Sequence, residues 1–181
     1  MRISVIGCGY LGAVHAACLA KLGHDVVGID LDAGKVAQLS AGQAPFYEPV
    51  LDDLLSALEE SGRLRFTTEM SAARGSEVHF ICVGTPQKRG ENAADLRFVD
   101  AAVEALASQL SPGNIVAGKS TVPVGTAARL AEVIAEAEPG ATLVWNPEFL
   151  REGHAVTDPA IPCGRTRAPA RTDGHARSAV A

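Results

Sequence analysis

A glycine-rich turn between a short apolar segment and a helix-forming segment constrains this chain more than any other feature. Residues 1–6 read Met-Arg-Ile-Ser-Val-Ile, which is typical of a buried strand, and residues 7–12 follow as Gly-Cys-Gly-Tyr-Leu-Gly. In this pattern Gly7 permits the tight turn, Gly9 leaves the backbone open to a pyrophosphate, and Gly12 lets the helix lie close to the strand. The helix N terminus then offers N–H groups and partial positive charge to a diphosphate.

An acidic residue follows the second apolar run. Residues 25–29 read Asp-Val-Val-Gly-Ile and end at Asp30. The separation from Gly12 is close to the about 20 residues expected between a dinucleotide turn and its ribose-binding acid. A carboxylate there accepts hydrogen bonds from ribose hydroxyls and repels a 2′-phosphate, so the pattern favours NAD over NADP. The alternative is an ordinary glycine-rich turn with Asp30 as a helix cap.

Strand and helix patterns alternate along the chain as far as residue 157. The predicted strands are residues 1–6, 25–29, 64–67, 78–83, 115–119 and 142–145. The predicted helices are residues 13–22, 33–40, 50–61, 71–75, 96–110 and 127–137. This alternation predicts an α/β fold, a doubly wound parallel sheet of the Rossmann-like type, with residues 1–157 as a single domain. The loops after the strands, which hold the glycine turn, Asp30 and residues 84–86, 120–121 and 146–153, are therefore expected to converge at one edge of the sheet.

Residues 158–181 differ from the rest of the chain. They are rich in Ala, Arg and Pro, contain no Leu, Phe, Tyr or Trp, and show no periodicity. Such a segment has little apolar surface to bury, so we predict an irregular or disordered C-terminal tail.

Composition excludes several classes of protein. Apolar residues make up 47% of the chain and charged residues 20%, which is typical of a globular protein. A net charge of -5 without a basic stripe argues against a nucleic-acid partner. No apolar run approaches the roughly 18 residues of a membrane span, and Met1 leads directly into a strand without a signal peptide, so a cytoplasmic location is predicted. The four cysteines and five histidines show no metal-binding spacing, so no metal is predicted.

Several motifs, taken in chain order, resemble one family. They are residues 7–12, Pro-Phe-Tyr-Glu-Pro at 45–49, Cys-Val-Gly-Thr-Pro at 82–86, Lys-Ser-Thr-Val-Pro-Val-Gly-Thr at 119–126, and Asn-Pro-Glu-Phe-Leu-Arg-Glu-Gly at 146–153. Together they resemble the N-terminal NAD-binding domain of the UDP-glucose/GDP-mannose dehydrogenase family, from Met1 to about Asp158. The last motif is highly specific, and the Phe-Tyr-Glu-Pro loop favours the UDP-glucose 6-dehydrogenase branch over the GDP-mannose branch.

The resemblance implies a set of NAD-binding residues. The three glycines hold the pyrophosphate, Tyr10 and Leu11 supply backbone N–H groups, and Asp30 binds the adenosine ribose with Lys35 beside it. The remaining residues implied to contact the cofactor are Val83, Gly84, Thr85, Pro86, Ser120, Thr121 and Glu152. Taken alone, Lys35 is equally typical of a surface lysine. The less favoured alternative for Ser120 and Thr121 is a plain helix cap.

The resemblance also implies a substrate pocket for UDP-glucose or a related nucleotide sugar. The implied lining residues are Glu148, Phe149, Leu150, Arg151 and Glu152. Oxidation of a primary alcohol to an acid requires an acid/base carboxylate near the nicotinamide, and Thr121, Glu148 and Glu152 are the implied catalytic residues. Arg151 is a cation suited to sugar or phosphate oxygens. The alternative for Glu148 and Glu152, four residues apart, is a solvated helical face.

The sequence departs from the family after Asp158. Family members continue into a long central helix with a catalytic lysine and asparagine, a second domain with a nucleophilic cysteine that forms a thiohemiacetal, and a region through which they form homo-oligomers. Cys163 lacks the flanking sequence of that nucleophile, so the chain resembles a truncated NAD-binding part. The implied function is NAD-dependent oxidation of UDP-glucose to UDP-glucuronate. The alternatives are a non-catalytic NAD-binding fragment or pseudoenzyme, and a dehydrogenase of the GDP-mannose type.

Overall fold

Six parallel strands form a single sheet in the computed structural model, which describes residues 1–147, 150 and 152–156. The strands are β1 (Arg2–Ile6), β2 (Asp25–Ile29), β3 (Leu64–Thr67), β4 (Val78–Ile81), β5 (Ile115–Gly118) and β6 (Thr142–Trp145). They are ordered β3-β2-β1-β4-β5-β6, and every neighbouring pair is parallel. This order confirms the predicted doubly wound sheet, whose winding reverses between β1 and β4.

The helices lie close to their predicted positions. They are α1 (Tyr10–Lys21), α2 (Ala33–Ser40), α3 (Leu51–Glu60), α4 (Arg97–Ala107) and α5 (Thr126–Ala137), with a 3-10 turn over Met70–Ala73. Helix α1 begins inside the glycine-rich turn, earlier than predicted. Helix α4 ends before the predicted Leu110, because the backbone N–H groups of Gln109 and Leu110 turn back to the carbonyls of Leu106 and Ala107. The predicted tail, residues 158–181, lies outside the described residues.

The two faces of the sheet are covered by different helices. Ile3 and Val5 of β1 pack with α1 and α3 on one face, whereas Ile6 packs with α4 and α5 on the other. Side chains of a strand alternate between faces, so β1 contributes to both cores. Among the described residues, no helix combines the length and the apolar character needed to cross a membrane.

A buried polar chain crosses the sheet between β1, β4 and the start of β5. The His79 side chain is fully buried; its Nδ1 lies 2.7 Å from Ser4 Oγ and its Nε2 lies 3.3 Å from Asn114 Oδ1. Because an amide oxygen only accepts, Nε2 carries the hydrogen and Nδ1 accepts from the serine hydroxyl. Burial lowers the pKa of His79, and the hydrogen bond to Asn114 offsets only part of that effect.

We predict that this histidine makes the fold sensitive to mild acid. Its pKa is lower in the folded state than the about 6.5 of an unfolded histidine, so the unfolded chain binds the extra proton first. The contribution is therefore complete above pH of about 6.5 and is lost as the pH falls below it, by up to about 1.4 kcal/mol per pH unit. Urea unfolding of wild type and His79→Gln between pH 7.5 and 5.5 measures this, with half-buried His24→Gln as control. Equal pH slopes for wild type and His79→Gln would contradict the prediction.

Val50, immediately before α3, has an unusual backbone conformation. Its φ of 59° and ψ of 2° place this β-branched residue in the left-handed region, and the remaining positive-φ residues of the described chain are glycines. Its side chain is 54% exposed, so little packing compensates for the strain.

We expect Val50→Gly to stabilise the fold by about 1 kcal/mol, because glycine adopts this conformation without a Cβ clash. The greater freedom of glycine in the unfolded chain reduces the gain but does not cancel it. Thermal and urea unfolding measure the effect, and Val50→Ala, which keeps the Cβ, is the matched control. A loss of stability in Val50→Gly would show that the valine side chain is held by packing that outweighs the strain.

Candidate cofactor and substrate site

The carboxyl ends of the strands form one continuous edge that holds most of the predicted site residues. A cleft of about 600 Å³ opens there, between the ends of β1, β2 and β4 and one face of α4. Its lining includes Gly7, Gly9, Asp30, Lys35, Val83, Gly84 and Pro86. The expected convergence of loops from separate parts of the sequence is therefore observed for these residues.

Each of the three glycines of the turn is required, or leaves space, for a different structural reason. Gly7 has φ of 89°, and a Cβ there would lie 2.8 Å from Val83. A Cβ on Gly12 would lie 1.8 Å from the Gly7 carbonyl oxygen, so α1 approaches the turn too closely for any side chain. Gly9 faces open space, since a Cβ there would meet no protein atom within 4 Å. The open space beside Gly9 is compatible with the predicted approach of a pyrophosphate to the backbone.

The N terminus of α1 is suited to an anion. The helix begins at Tyr10, has no side-chain cap, and carries no acidic residue in its first turn. Its first backbone hydrogen bond across the cap runs from Ala13 N to Gly9 O at 2.9 Å. The N–H groups before Ala13 point out of the helix, so Tyr10 and Leu11 are placed to donate to a diphosphate.

Asp30 connects the turn to the end of β2. Its Oδ2 accepts from Cys8 N at 2.7 Å and from Lys35 Nζ at 2.8 Å, and its Oδ1 accepts from Asp32 N at 3.0 Å. Burial acts to raise the pKa of this carboxyl, but the hydrogen bonds from Lys35, Asp32 and Cys8 outweigh it and the pKa is lowered. Asp30 is therefore ionised at the rim of the cleft.

The alternatives for Asp30 and Lys35 do not hold in this geometry. Helix α2 is capped by Asp32, whose Oδ1 accepts from Gly34 N and Lys35 N, so Asp30 is not the cap. Lys35 is held in an ion pair with Asp30 rather than free on the surface. One carboxylate and one ammonium thus lie together where a ribose is predicted.

An apolar slot continues the cleft beyond Asp30. Leu31, which is 87% exposed, and Phe98, which is 50% exposed, line it together with Met70 and Ala101. Large apolar side chains this exposed are typical of a binding surface for a flat apolar group such as a purine base. The sequence reasoning missed these residues; the available signal was a leucine directly after Asp30, the acid predicted to bind the ribose.

Hydrogen bonds join the loops that follow β4, β5 and β6. Ser120 Oγ donates to Val83 O at 2.6 Å, Thr85 Oγ1 donates to Thr121 O at 2.8 Å, and Trp145 Nε1 donates to Ser120 O at 3.0 Å. Ser120 and Thr121 are not helix caps, because α5 begins at Thr126. The Thr121 side chain remains exposed at the edge of the sheet.

Trp145 packs against the core on the face covered by α4 and α5 and also positions a neighbouring loop. Its ring packs over Gly118, where a Cβ would lie 2.2 Å from the indole, and its N–H fixes the carbonyl of Ser120. It therefore positions the 120–121 segment. This role depends on a glycine on the neighbouring strand, which a reading of Trp145 alone does not reveal.

The predicted substrate segment is described only in part. Glu148, Phe149 and Arg151 lie outside the described residues. Leu150 is half-buried against the core formed by α1 and α3, and Glu152 is exposed in a turn. Their predicted roles in sugar binding and acid/base chemistry remain predictions.

Glu48, which the sequence reasoning noted only as part of a motif, is a buried carboxylate at 6% exposure. It accepts from Tyr10 Oη at 2.5 Å, from Gly153 N at 2.8 Å and from Val156 N at 3.1 Å. Burial acts to raise its pKa, but these hydrogen bonds, the tyrosine hydroxyl first, lower it. The segment after Glu152 is thereby fastened beside the glycine-rich turn.

The two cysteines near the turn are not suited to nucleophilic catalysis. Burial raises the pKa of Cys82 to about 12. Burial and the charge of Asp30 also raise the pKa of Cys8 above its ordinary range. Both side chains are buried and therefore remain protonated thiols at neutral pH.

The sheet order, the glycine-rich turn and the paired Asp30 and Lys35 define a dinucleotide-binding domain of a dehydrogenase. The model of the UDP-glucose/GDP-mannose dehydrogenase family, NAD binding domain, matches residues 1–163, and the chain belongs to this family. Its cofactor is accordingly NAD.

Relatives of known name agree with this assignment. The UDP-glucose 6-dehydrogenase of Rhizobium meliloti is 45% identical over 99% of this chain and 42% of its own length. The UDP-glucose 6-dehydrogenase TuaD of Bacillus subtilis is 43% identical over 87% of this chain and 35% of its own length. The chain therefore spans well under half the length of these relatives.

Solved structures show the same fold. A ternary complex of GDP-mannose dehydrogenase from Pseudomonas aeruginosa has a TM-score of 0.81 at 36% identity, covering 86% of this chain and 38% of its own. A UDP-glucose dehydrogenase from Pyrobaculum islandicum has a TM-score of 0.77 at 41% identity, covering 86% and 37%.

We predict that Asp30→Asn weakens NAD binding by at least about ten-fold and reduces the ratio of NAD affinity to NADP affinity. The substitution removes a charged acceptor for ribose hydroxyls, a contribution of about 1.5–3 kcal/mol, and also the charge that would repel a 2′-phosphate. Calorimetric titration with both cofactors measures the effect, and exposed Asp53→Asn on α3 is the charge control. Unchanged selectivity in Asp30→Asn would contradict the assignment of Asp30 to the ribose.

Proposed function

We propose that this chain forms the NAD-binding part of a UDP-glucose 6-dehydrogenase, an enzyme that oxidises UDP-glucose to UDP-glucuronate. The observation that carries the proposal is the joint geometry of the glycine-rich turn, the Asp30–Lys35 pair and the anchored 152–156 segment around one sheet edge. The named relatives support it, since UDP-glucose 6-dehydrogenases match at 45% and 43% identity.

Under this proposal, the residues that line the cleft bind the successive parts of NAD. NAD supplies the hydride acceptor for the alcohol of the sugar. The N terminus of α1 binds the diphosphate, Asp30 orients the ribose through its hydroxyls, and the apolar slot at Leu31 and Phe98 receives the adenine. Binding through these groups leaves the far end of the cofactor to extend along the sheet edge towards Thr121.

The proposed proton chemistry depends on exposed groups at that edge. Glu152 is an exposed carboxylate, and Thr121 is an exposed hydroxyl whose backbone is fixed by Thr85. We infer that Glu152, together with Glu148, accepts protons released as the sugar alcohol is oxidised, while Thr121 orients a water. Arg151 is the proposed cation for sugar or phosphate oxygens, and Phe149 and Leu150 the proposed apolar lining.

UDP-glucose is favoured over GDP-mannose as the substrate. The GDP-mannose 6-dehydrogenase of Pseudomonas syringae is 37% identical, lower than the 45% and 43% of the Rhizobium meliloti and TuaD enzymes. The Phe-Tyr-Glu-Pro loop also resembles that of the UDP-glucose branch. We further infer that the enzyme acts in the cytoplasm, where nucleotide sugars are made. We infer as well that its homo-oligomerisation depends on sequence other than residues 1–157.

We predict that the 181-residue chain binds NAD but does not form UDP-glucuronate in sustained turnover. The second oxidation requires a thiolate against the sugar carbon, whereas Cys8 and Cys82 are buried and protonated. NADH absorbance and chromatographic detection of UDP-glucuronate, at saturating NAD and UDP-glucose, measure this. The rate of the first hydride transfer is also reduced by orders of magnitude wherever the sugar is not held in the reactive orientation.

The full-length Rhizobium meliloti relative is the positive control. A folded 181-residue chain that fails to bind NAD in a calorimetric titration would overturn the proposed function. Sustained UDP-glucuronate formation would instead contradict the turnover prediction and require a nucleophile within this chain.

A further inference from the structure

Glu48 joins three separate parts of the chain at one buried point. It belongs to the loop between α2 and α3, Tyr10 is the first residue of α1, and Gly153 and Val156 belong to the segment after β6. These parts are more than a hundred residues apart at the extreme, since Val156 N and Glu48 Oε1 are separated by 108 positions. The Glu48 carboxylate therefore joins the start of α1 to the segment after β6 by side-chain hydrogen bonds rather than by strand or helix pairing.

The two carboxylate oxygens of Glu48 accept hydrogen bonds from different partners. Oε2 accepts both the Tyr10 hydroxyl at 2.5 Å and the Gly153 N–H at 2.8 Å, whereas Oε1 accepts the Val156 N–H at 3.1 Å. Gly153 N also lies 3.2 Å from the Tyr10 oxygen, so its hydrogen is shared between the two acceptors. Tyr10, Glu48 and Gly153 form a closed triangle of hydrogen bonds, which we call the Glu48 clamp.

Within the clamp, the Glu48 carboxyl stays ionised and the Tyr10 phenol stays protonated around neutral pH. Burying a carboxylate is costly unless several donors satisfy it, and here a hydroxyl and backbone N–H groups do so. The pKa of Glu48 is lowered despite burial, and burial together with the Glu48 carboxylate raises the pKa of Tyr10 to about 12. At neutral pH the carboxylate therefore accepts and the phenol donates.

The loop that carries Glu48 is fixed independently of any ligand. Asp52 Oδ1 accepts from Ala44 N at 2.9 Å, and Leu51 N donates to Glu48 O at 3.3 Å. The Phe46 ring meets the Tyr10 ring edge to face, with centroids 5.0 Å apart, and so restrains its side chain. The clamp thus has one rigid side, the loop, and presents Tyr10 and residues 152–156 to each other.

The two partners of Glu48 Oε2, Tyr10 and Gly153, lie next to groups with proposed roles in the reaction. Tyr10 opens α1, and its own backbone N–H belongs to the proposed diphosphate site. Gly153 directly follows Glu152, the proposed acid/base carboxylate. Tyr10 and the backbone beside Glu152 are therefore connected by the hydrogen bonds that the Tyr10 hydroxyl and the Gly153 N–H donate to Glu48 Oε2.

We propose that Glu48 is a positioning residue that sets the placement of Glu152 relative to the NAD turn through the Tyr10 hydroxyl. Cofactor occupancy of the turn and the order of residues 152–156 are then energetically coupled. This inference rests on the proposed function only in taking the turn as the NAD site. By linkage, a clamp that NAD tightens must in turn strengthen NAD binding by the same factor.

The test is backbone amide hydrogen exchange of Gly153 and Val156 in the 181-residue chain, measured by NMR with and without saturating NAD. The variants are Tyr10→Phe, which removes only the hydroxyl, and Glu48→Gln, which keeps one acceptor oxygen. The matched controls are Tyr47→Phe, which is 83% exposed in the same loop, and exposed Glu59→Gln on α3. Thermal midpoints identify variants that are merely unstable.

We expect NAD to slow exchange at both amides at least about five-fold in wild type and in both controls. In Tyr10→Phe this effect is lost and the NAD dissociation constant rises by the same factor, although the protein remains folded. In Glu48→Gln only one of the two amides, Gly153 or Val156, keeps part of its protection, because the NH2 group of the glutamine cannot accept from the other. A purely structural clamp would speed exchange in these variants without removing the response to NAD.

Failure of NAD binding and failure of the coupling between NAD and residues 152–156 give different experimental results. If wild type does not bind NAD, the proposed function fails and the coupling fails with it. If NAD binds normally but leaves exchange at Gly153 and Val156 unchanged, or if Tyr10→Phe responds as wild type does, the coupling alone is overturned.

Discussion

The close approach of Gly12 to the Gly7 carbonyl is the contact on which the rest of the site depends. A Cβ at Gly12 would lie 1.8 Å from that oxygen, so the first turn of α1 lies against the end of β1 with no side chain between them. This approach aims the N terminus of α1 at the sheet edge. It also brings Cys8 N within 2.7 Å of Asp30 Oδ2, so the proposed diphosphate and ribose sites are joined by a direct hydrogen bond.

The sequence was sufficient to predict the fold because the relevant signals are local. A parallel sheet buries both faces, so its strands appear as short apolar runs, and the helices between them carry their own periodicity. The bounds of α2, β3 and β6 agree with prediction to the residue. The end of α4 was wrong, because its last turn tightens through backbone contacts at Gln109 and Leu110 that side-chain periodicity does not encode.

The positions of the glycines and of Asp30 at the sheet edge were predictable for a related reason. Gly7, Gly12 and Asp30 act through backbone geometry and through a charge at a fixed distance along the chain, both of which a motif records. Glu48 and Trp145 act through partners that are distant in sequence, namely Gly153 and Ser120. Nothing around Glu48 in the sequence shows that it is buried, so its role required the folded chain.

Three carboxylates around the site, Asp30, Glu48 and Glu152, differ in their hydrogen-bond partners and in their exposure. Asp30 is paired with the ammonium of Lys35, and Glu48 is saturated by a hydroxyl and backbone N–H groups, so both are held as fixed acceptors. Glu152 is exposed in its turn. A group that must gain and lose a proton in each cycle needs access to solvent or substrate, whereas a group that positions others must keep one state. Under the proposed function, Asp30 and Glu48 are therefore fixed acceptors, whereas Glu152 is the group that exchanges protons. Because the Gly153 N–H donates to Glu48, the backbone next to Glu152 is held by the Glu48 carboxylate.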